Sequence, residues 1–189
     1  MVPLSDREGS AELIDSCRAG DRDAFRVLYD LYKDRVYSLT LYFFHGDQSI
    51  ARDVTQQVFL KLITTIKQFK GEAAFSTWLY RLVVNACQDA NRRRKSAGLG
   101  SARLLEELAI PGSQAEDYER AQMSRLVRAA VSALPPKFRI AVLLRYFDDL
   151  SYEQMADVLH CSMGTVASRL SRGHKILAER LTGLMKGKD

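Results

Sequence analysis

The chain has 189 residues, 47% of them hydrophobic and 27% charged, and a formal net charge of +5. Its longest apolar runs, such as residues 141–144, fall far short of a bilayer span, and MVPLSDREGS at residues 1–10 lacks the apolar core of a signal peptide, so a cytoplasmic protein without membrane insertion is expected. Cys17, Cys87 and Cys161 are widely separated with no C-x-x-C pair, which argues for buried free thiols over a disulfide framework or a zinc knuckle.

In chain order, apolar residues recur at helical spacing almost throughout, and no segment reads as a strand. After a short helix before Gly20, Asp21 can cap a helix with Phe25, Leu28, Tyr32, Val36, Leu39 and Phe43 on one face. Residues 45–49 read as a turn. The next helix carries Val54, Val58, Leu62 and Ile66 on one side. Residues 67–76 break the pattern around Gly71, and Ser76 then caps a third long helix through Trp78, Leu79, Leu82, Val83 and Ala86 into NRRRK. These helices can close a bundle. Residues 97–118, rich in glycine and bearing a proline, read as a flexible linker. A second helical unit follows, with Pro136 tolerated at a first helical position. The expectation is all-α: two small helical domains at residues 10–96 and 119–184, joined by the linker at 97–118.

Ser151 and Gln154 form a capping-box pattern, flanked by Leu150 and Met155 at hydrophobic-staple spacing, so a helix begins at Tyr152. It stops at His160 and Cys161, and Ser162 can cap the next. Two helices about three residues apart are the helix-turn-helix signature, which makes the second domain a helix-turn-helix domain. His160 stands where such turns often have glycine, a position of positive φ. In the following helix Val166, Leu170, Gly173 and Leu177 form the core stripe. Ser168, Ser171, Arg172 and Lys175 point the other way, with Thr165 and Arg169 on one flank and Ala167 on the other. Small residues let a helix enter a major groove about 12 Å wide, and the cations can hold phosphates.

Charge is unevenly distributed. Residues 67–95 hold seven bases against Glu72 and Asp89, and residues 162–189 hold six against Glu179 and Asp189. Residues 96–124, between them, carry five acids against Arg103 and Arg120. Two basic regions around an acidic connector suit two grips on one long polyanion.

AGDRDAFRVLYDLYKDRVYSLTLYF, ARDVTQQVFLKLI, FKGEAAFSTWLYRLVVNACQDANRRRK and the block from LPPKFR through HCSMGTVASRLSRGHKIL together resemble, in order and spacing, the blocks of bacterial extracytoplasmic-function (ECF) sigma factors. The resemblance runs from about Leu13 to Leu181. It implies a two-domain helical protein that binds core RNA polymerase and directs it to promoter DNA, with no catalysis or cofactor of its own. An anti-sigma factor is implied as a further partner. DVTQQVFLKL is similar to the block that docks on polymerase, pointing to Asp53, Gln56, Gln57, Phe59 and Lys61. The family usually has glutamate where Gln57 stands. FKGEAAFSTWLYRLVVN resembles the promoter-opening segment, with Phe69 and Asn85 at the pocket for a flipped base of the minus-ten element. Base stacking on an aromatic is worth about 1–3 kcal/mol. Lys70, Arg81, Arg92, Arg93 and Arg94 would hold DNA beside them. In the second domain the resemblance assigns Ala167, Ser168 and Ser171 to base edges of the minus-thirty-five element and Arg169, Arg172 and Lys175 to phosphates, with Thr165 alongside.

A helix-turn-helix regulator that binds duplex DNA without polymerase would explain the second domain but leave the aromatic loop and basic helix of the first unexplained. A DNA-processing enzyme would need a nucleophile with a paired base or a metal cluster. His45, His160 and His174 are scattered, and neighbouring Asp148 and Asp149 would diverge in helical geometry, so no metal or catalytic residue is assigned.

Overall fold

The computed structural model describes residues 11–98 and 115–186, with the side chains of 115–121 and 184–186 excepted. Among the described residues the chain is helical with no strand: α1 (Ala11–Ala19), α2 (Arg22–Phe43), α3 (Gln48–Thr65) with a 3-10 turn at Ile66–Gln68, α4 (Phe75–Ser96), α5 (Ala115–Ser132), α6 (Pro136–Phe147), α7 (Tyr152–Leu159) and α8 (Met163–Lys186). The linker expected at 97–118 lies mostly outside the described residues.

Local chemistry sets most boundaries. Gly20 turns the chain at φ +92°, and Asp21 accepts the backbone N–H groups of Asp23 and Ala24 to start α2. The α2 stripe Leu28, Tyr32, Val36, Leu39 and Phe43 is buried as its spacing requires. α2 ends where His45 and Gly46 adopt positive φ, and Asp47 caps α3 through the Ile50 N–H. The turn is therefore shorter than expected, because Gln48 and Ser49 already belong to α3. Ser76 does not cap α4: the helix starts at Phe75, Ala74 holds the cap position, and no side chain caps it. Burial fixes that start, since Phe75 packs edge-on against Tyr32 with ring centroids 5.6 Å apart. α5 begins at Ala115, slightly before the expected domain start at 119. Pro136 sits in the first turn of α6, where no N–H is needed.

The two helical units also pack against each other. One continuous core runs from Leu28, Leu39, Val58, Leu79 and Val83 to Leu134, Leu143, Met155, Val166 and Leu170. α4 lies against α7, and α2 lies against α5 and α6. Tyr42 and Phe147 meet across this boundary with ring centroids 4.6 Å apart.

Arg139, only 4% exposed, ties the halves together. Its Nη1 donates to the Phe43 carbonyl at 2.5 Å and to His45 Nε2 at 3.1 Å, and its Nη2 donates to the Ser132 and Leu134 carbonyls at 2.7 Å each. Phe43 and Ser132 are the last residues of α2 and α5. One guanidinium thus serves the unsatisfied carbonyls and negative dipole ends of two helices, one from each half.

Candidate nucleic-acid interface

The helix-turn-helix forms from its own sequence signals. Ser151 Oγ accepts the Gln154 N–H at 3.1 Å, and Gln154 Oε1 accepts the Ser151 N–H at 2.8 Å, completing the capping box. His160 ends α7 at φ 48°, ψ 52°, the left-handed conformation that the turn demands. A histidine tolerates it, at a cost glycine avoids. Ser162 Oγ accepts the Thr165 N–H at 3.2 Å and starts α8.

On α8, Val166 and Leu170 are buried, and Gly173 sits against α6 so closely that a Cβ there would lie 3.1 Å from Val142 Cγ2. Leu177 is only half-buried. The opposite face carries Ala167, Ser168, Ser171, Arg172 and Lys175, all exposed, with Thr165 and Arg169 half-buried on its flank. Exposed Met163 at the start of this helix is a surface apolar residue that the core stripe does not use, and sequence reasoning passed over it.

In the first half, Phe69 is half-buried. Its ring packs edge-to-face on Phe75 at 5.5 Å between centroids and tilted on Trp78 at 5.6 Å. One side of it lines a cavity of about 340 Å³ together with Lys70, Gly71, Ala73 and the α1 residues Ile14 and Arg18. α1 as a wall of this cavity was not anticipated, because its placement depends on packing between segments distant in sequence. Asn85 is exposed ten residues into α4, about 15 Å along the axis from Phe75, and does not line the cavity.

The α4 cations diverge. Arg81 turns to α7, its Nε donating to the Asp157 carbonyl at 3.1 Å and its Nη2 lying 3.6 Å from the Asp157 carboxylate. Arg92 pairs with Asp89. Arg93 donates to Gln57 Oε1 at 3.2 Å on α3, and half-buried Arg94 lies toward His45. Successive helical residues are about 100° apart, so a run of three arginines cannot share one face.

Among the α3 residues singled out, Asp53, Gln56, Gln57 and Lys61 are exposed, whereas Phe59 is 7% exposed and packs edge-on against Tyr29 at 4.7 Å between centroids. Gln56 and Phe59 line a groove of about 710 Å³ between α2 and α3, whose other walls include Tyr37, Leu60 and Ile63. Leu60 and Ile63 are more than half exposed. Sequence reasoning missed them, and the available signal was an i, i+3 apolar pair off the buried Val54–Val58–Leu62 stripe.

Titratable groups at the boundary between halves are perturbed. Burial, then the neighbouring Arg139 and Arg94, push His45 down to about 4. Burial raises the Asp148 carboxyl to about 6 despite the hydrogen bond it accepts from the Tyr80 hydroxyl. Burial likewise raises the Tyr80 phenol and lowers Arg139 to about 10. Cys17 and Cys87 are buried and burial raises both thiols, while Cys161 is half-buried. No cluster of three His, Cys, Asp or Glu side chains suited to a metal exists among the described residues, and no described helix is long and apolar enough to cross a membrane.

Residues 28–97 match the family described as Sigma-70 region 2, and residues 124–177 match Sigma-70, region 4. The chain is 31% identical to the ECF RNA polymerase sigma factor SigW of Bacillus subtilis, over 90% of this chain and 96% of that one. It is 33% identical to the RNA polymerase sigma-H factor of Pseudomonas aeruginosa, over 95% and 97% of the two chains, and 31% identical to the ECF RNA polymerase sigma-E factor of Escherichia coli K12, over 97% and 100%. The fold is similar to that of CnrH, solved with the cytosolic domain of CnrY (TM-score 0.66, 20% identity, 94% and 97% of the two chains), and to RpoE of Bartonella quintana, solved with the anti-sigma factor NepR (TM-score 0.65, 22% identity, 84% and 96%). With both Sigma-70 regions matched and relatives above 30% identity along nearly its full length, this chain belongs to the ECF sigma factors of RNA polymerase.

Proposed function

We propose that the chain binds core RNA polymerase and directs promoter-specific initiation, with residues 10–96 engaging polymerase and the minus-ten element and residues 119–184 reading the minus-thirty-five element. The exposed outer face of α8 carries this reading. Ala167, Ser168 and Ser171 keep it slim enough for the major groove, while Arg172 and Lys175 stand where phosphates flank such a helix. Ala167 can meet a thymine methyl but cannot grip guanine in a bidentate manner. In the first half, the cavity beside Phe69 and Lys70 is large enough for a nucleobase, and exposed Asn85, Arg92 and Arg93 would meet the strand leaving it. The apolar α2–α3 groove, with Gln56 and Phe59 in its wall and Asp53, Gln57 and Lys61 nearby, is the surface assigned to polymerase. An anti-sigma factor covering these faces and a cytoplasmic location complete the proposal.

The test is transcription in vitro. Mixed with core polymerase, the chain is expected to give initiation at a defined start on a cognate promoter, and a duplex promoter fragment is expected to shift only with polymerase present. A tight shift by the chain alone, with no specific start, would support a polymerase-independent regulator instead.

A further inference from the structure

We propose that Gln57 is a positioning residue for DNA: it holds the Arg93 guanidinium against a neutral partner, so that this arginine meets a promoter phosphate with its whole charge. This rests on the sigma factor reading above. Gln56 and Gln57 are neighbours on α3 and serve different sides of it. Gln56 lines the α2–α3 groove, whereas Gln57 accepts a hydrogen bond from Arg93 Nη2 of α4 at 3.2 Å. Successive helical residues point about 100° apart, so one glutamine turns to α2 and the next to α4. Gln57 and Arg93 are both exposed, and 36 positions separate them in sequence.

The neutrality of its partner sets Arg93 apart from the other α4 arginines. Arg81 faces the Asp157 carboxylate, Arg92 pairs with Asp89, and half-buried Arg94 lies toward His45. Arg93 is exposed and, among the described residues, has no carboxylate within ion-pair distance. It stands between exposed Arg92 and Lys95 at the end of α4, in the segment 67–95 where seven bases face two acids, so a polyanion is drawn to this end of the helix. A guanidinium carries five N–H donors, and one amide oxygen engages only one of them. The remaining donors and the undiminished charge are left for a phosphate, which arginine grips through two parallel hydrogen bonds. The amide also restrains a long side chain before DNA arrives, so less conformational freedom is lost on binding. A glutamate in place of Gln57 would accept the same hydrogen bond but would set a negative charge beside the phosphate.

The experiment measures how tightly the full chain, assembled with saturating core polymerase, binds a cognate promoter at several salt concentrations. Arg93→Ala is expected to lower affinity about threefold or more at low salt and to reduce the slope of log affinity against log salt by about 1, as the loss of one phosphate contact requires. Gln57→Glu, which keeps the size of the side chain and an acceptor oxygen, is expected to do the same. In the Arg93→Ala background it should cost less than about twofold more, because the two residues act through one contact. An unchanged slope in Arg93→Ala, or the full loss from Gln57→Glu in both backgrounds, would overturn the proposal. Polymerase affinity, titrated separately, gives a second reading. If Gln57→Glu weakens polymerase binding while the salt slope stays at the wild-type value, Gln57 is a polymerase contact alone and the proposal falls. Absence of any specific promoter complex with the wild type would instead sink the sigma factor reading, and this inference with it.

Discussion

α4 and α8 are the two most basic helices among the described residues, and they come to the surface in different ways. α8 buries one stripe, Val166 and Leu170 with Gly173, and leaves a continuous outer face open. α4 is packed by α3 on one side and by α7 on another, so its exposure begins only at Asn85 and runs through Gln88, Asp89, Arg92 and Arg93 to the end of the helix, and Arg81 is taken up by the opposite half. A helix buried on one side carries its function in its own periodicity. A helix wedged between two partners exposes whatever the second partner leaves uncovered, and that depends on how the halves are arranged.

The strongest way to break this contrast is to remove the group that sets the arrangement. Arg139→Ala orphans carbonyls at two helix ends that no apolar side chain can satisfy, so a loss of about 3–5 kcal/mol in urea unfolding is expected. A loss below about 1 kcal/mol would show that the halves do not depend on it. The helix-turn-helix should respond on a smaller and local scale. Ser151→Ala removes the acceptor for the Gln154 N–H and is expected to cost about 1 kcal/mol in the same measurement. Arg172→Ala should leave stability unchanged, weaken duplex binding by the polymerase complex across sequences, and lower the slope of log affinity against log salt by about 1, measured by titration at several salt concentrations. A changed sequence preference would make Arg172 a base reader.

The smallest expected effect is a near-cancellation. His45, held at about 4 in the folded chain against an ordinary 6.5, faces Arg139, Arg94 and the Ser132 backbone. Its contribution to stability is present above pH 6.5 and is lost as pH falls toward 4. Asp148, raised from 3.8 to about 6, faces Tyr80, Arg35 and Asp149. Being raised, it has the opposite sign, and its contribution to stability grows as pH falls from about 6 toward 4. The combined contribution of the two groups to the unfolding free energy should therefore be nearly flat between pH 7 and 5. His45→Asn, which tolerates the positive φ, should leave Asp148 alone and, relative to the wild type, gain stability on acidification. Asp148→Asn should leave His45 alone and, on the same comparison, lose stability. Urea unfolding at both pH values checks the signs, and like-signed responses in the two variants would refute the assignment.

Much of the second half was legible because its determinants are local. The caps at Ser151 and Ser162, the left-handed His160 and the Val166–Leu170–Gly173 stripe each rest on residues within a turn or two of one another. The first half yielded its buried stripes but not the half-burial of Phe69, the α1 wall beside it, or the separation of Asn85 from that cavity. Each of those depends on which segment packs over which.

By itself, the sequence determined an all-α chain, the place of the helix-turn-helix and the outward face of its second helix, because helical period and capping act through neighbours in the chain. Only the tertiary structure decided that the halves share one core, that Arg139 clamps two helix ends, and that Arg81 and Tyr80 face the opposite half. Those outcomes come from burial and from charges meeting across long sequence separations, where the cost of an unsatisfied carbonyl or guanidinium is set by what packs over it.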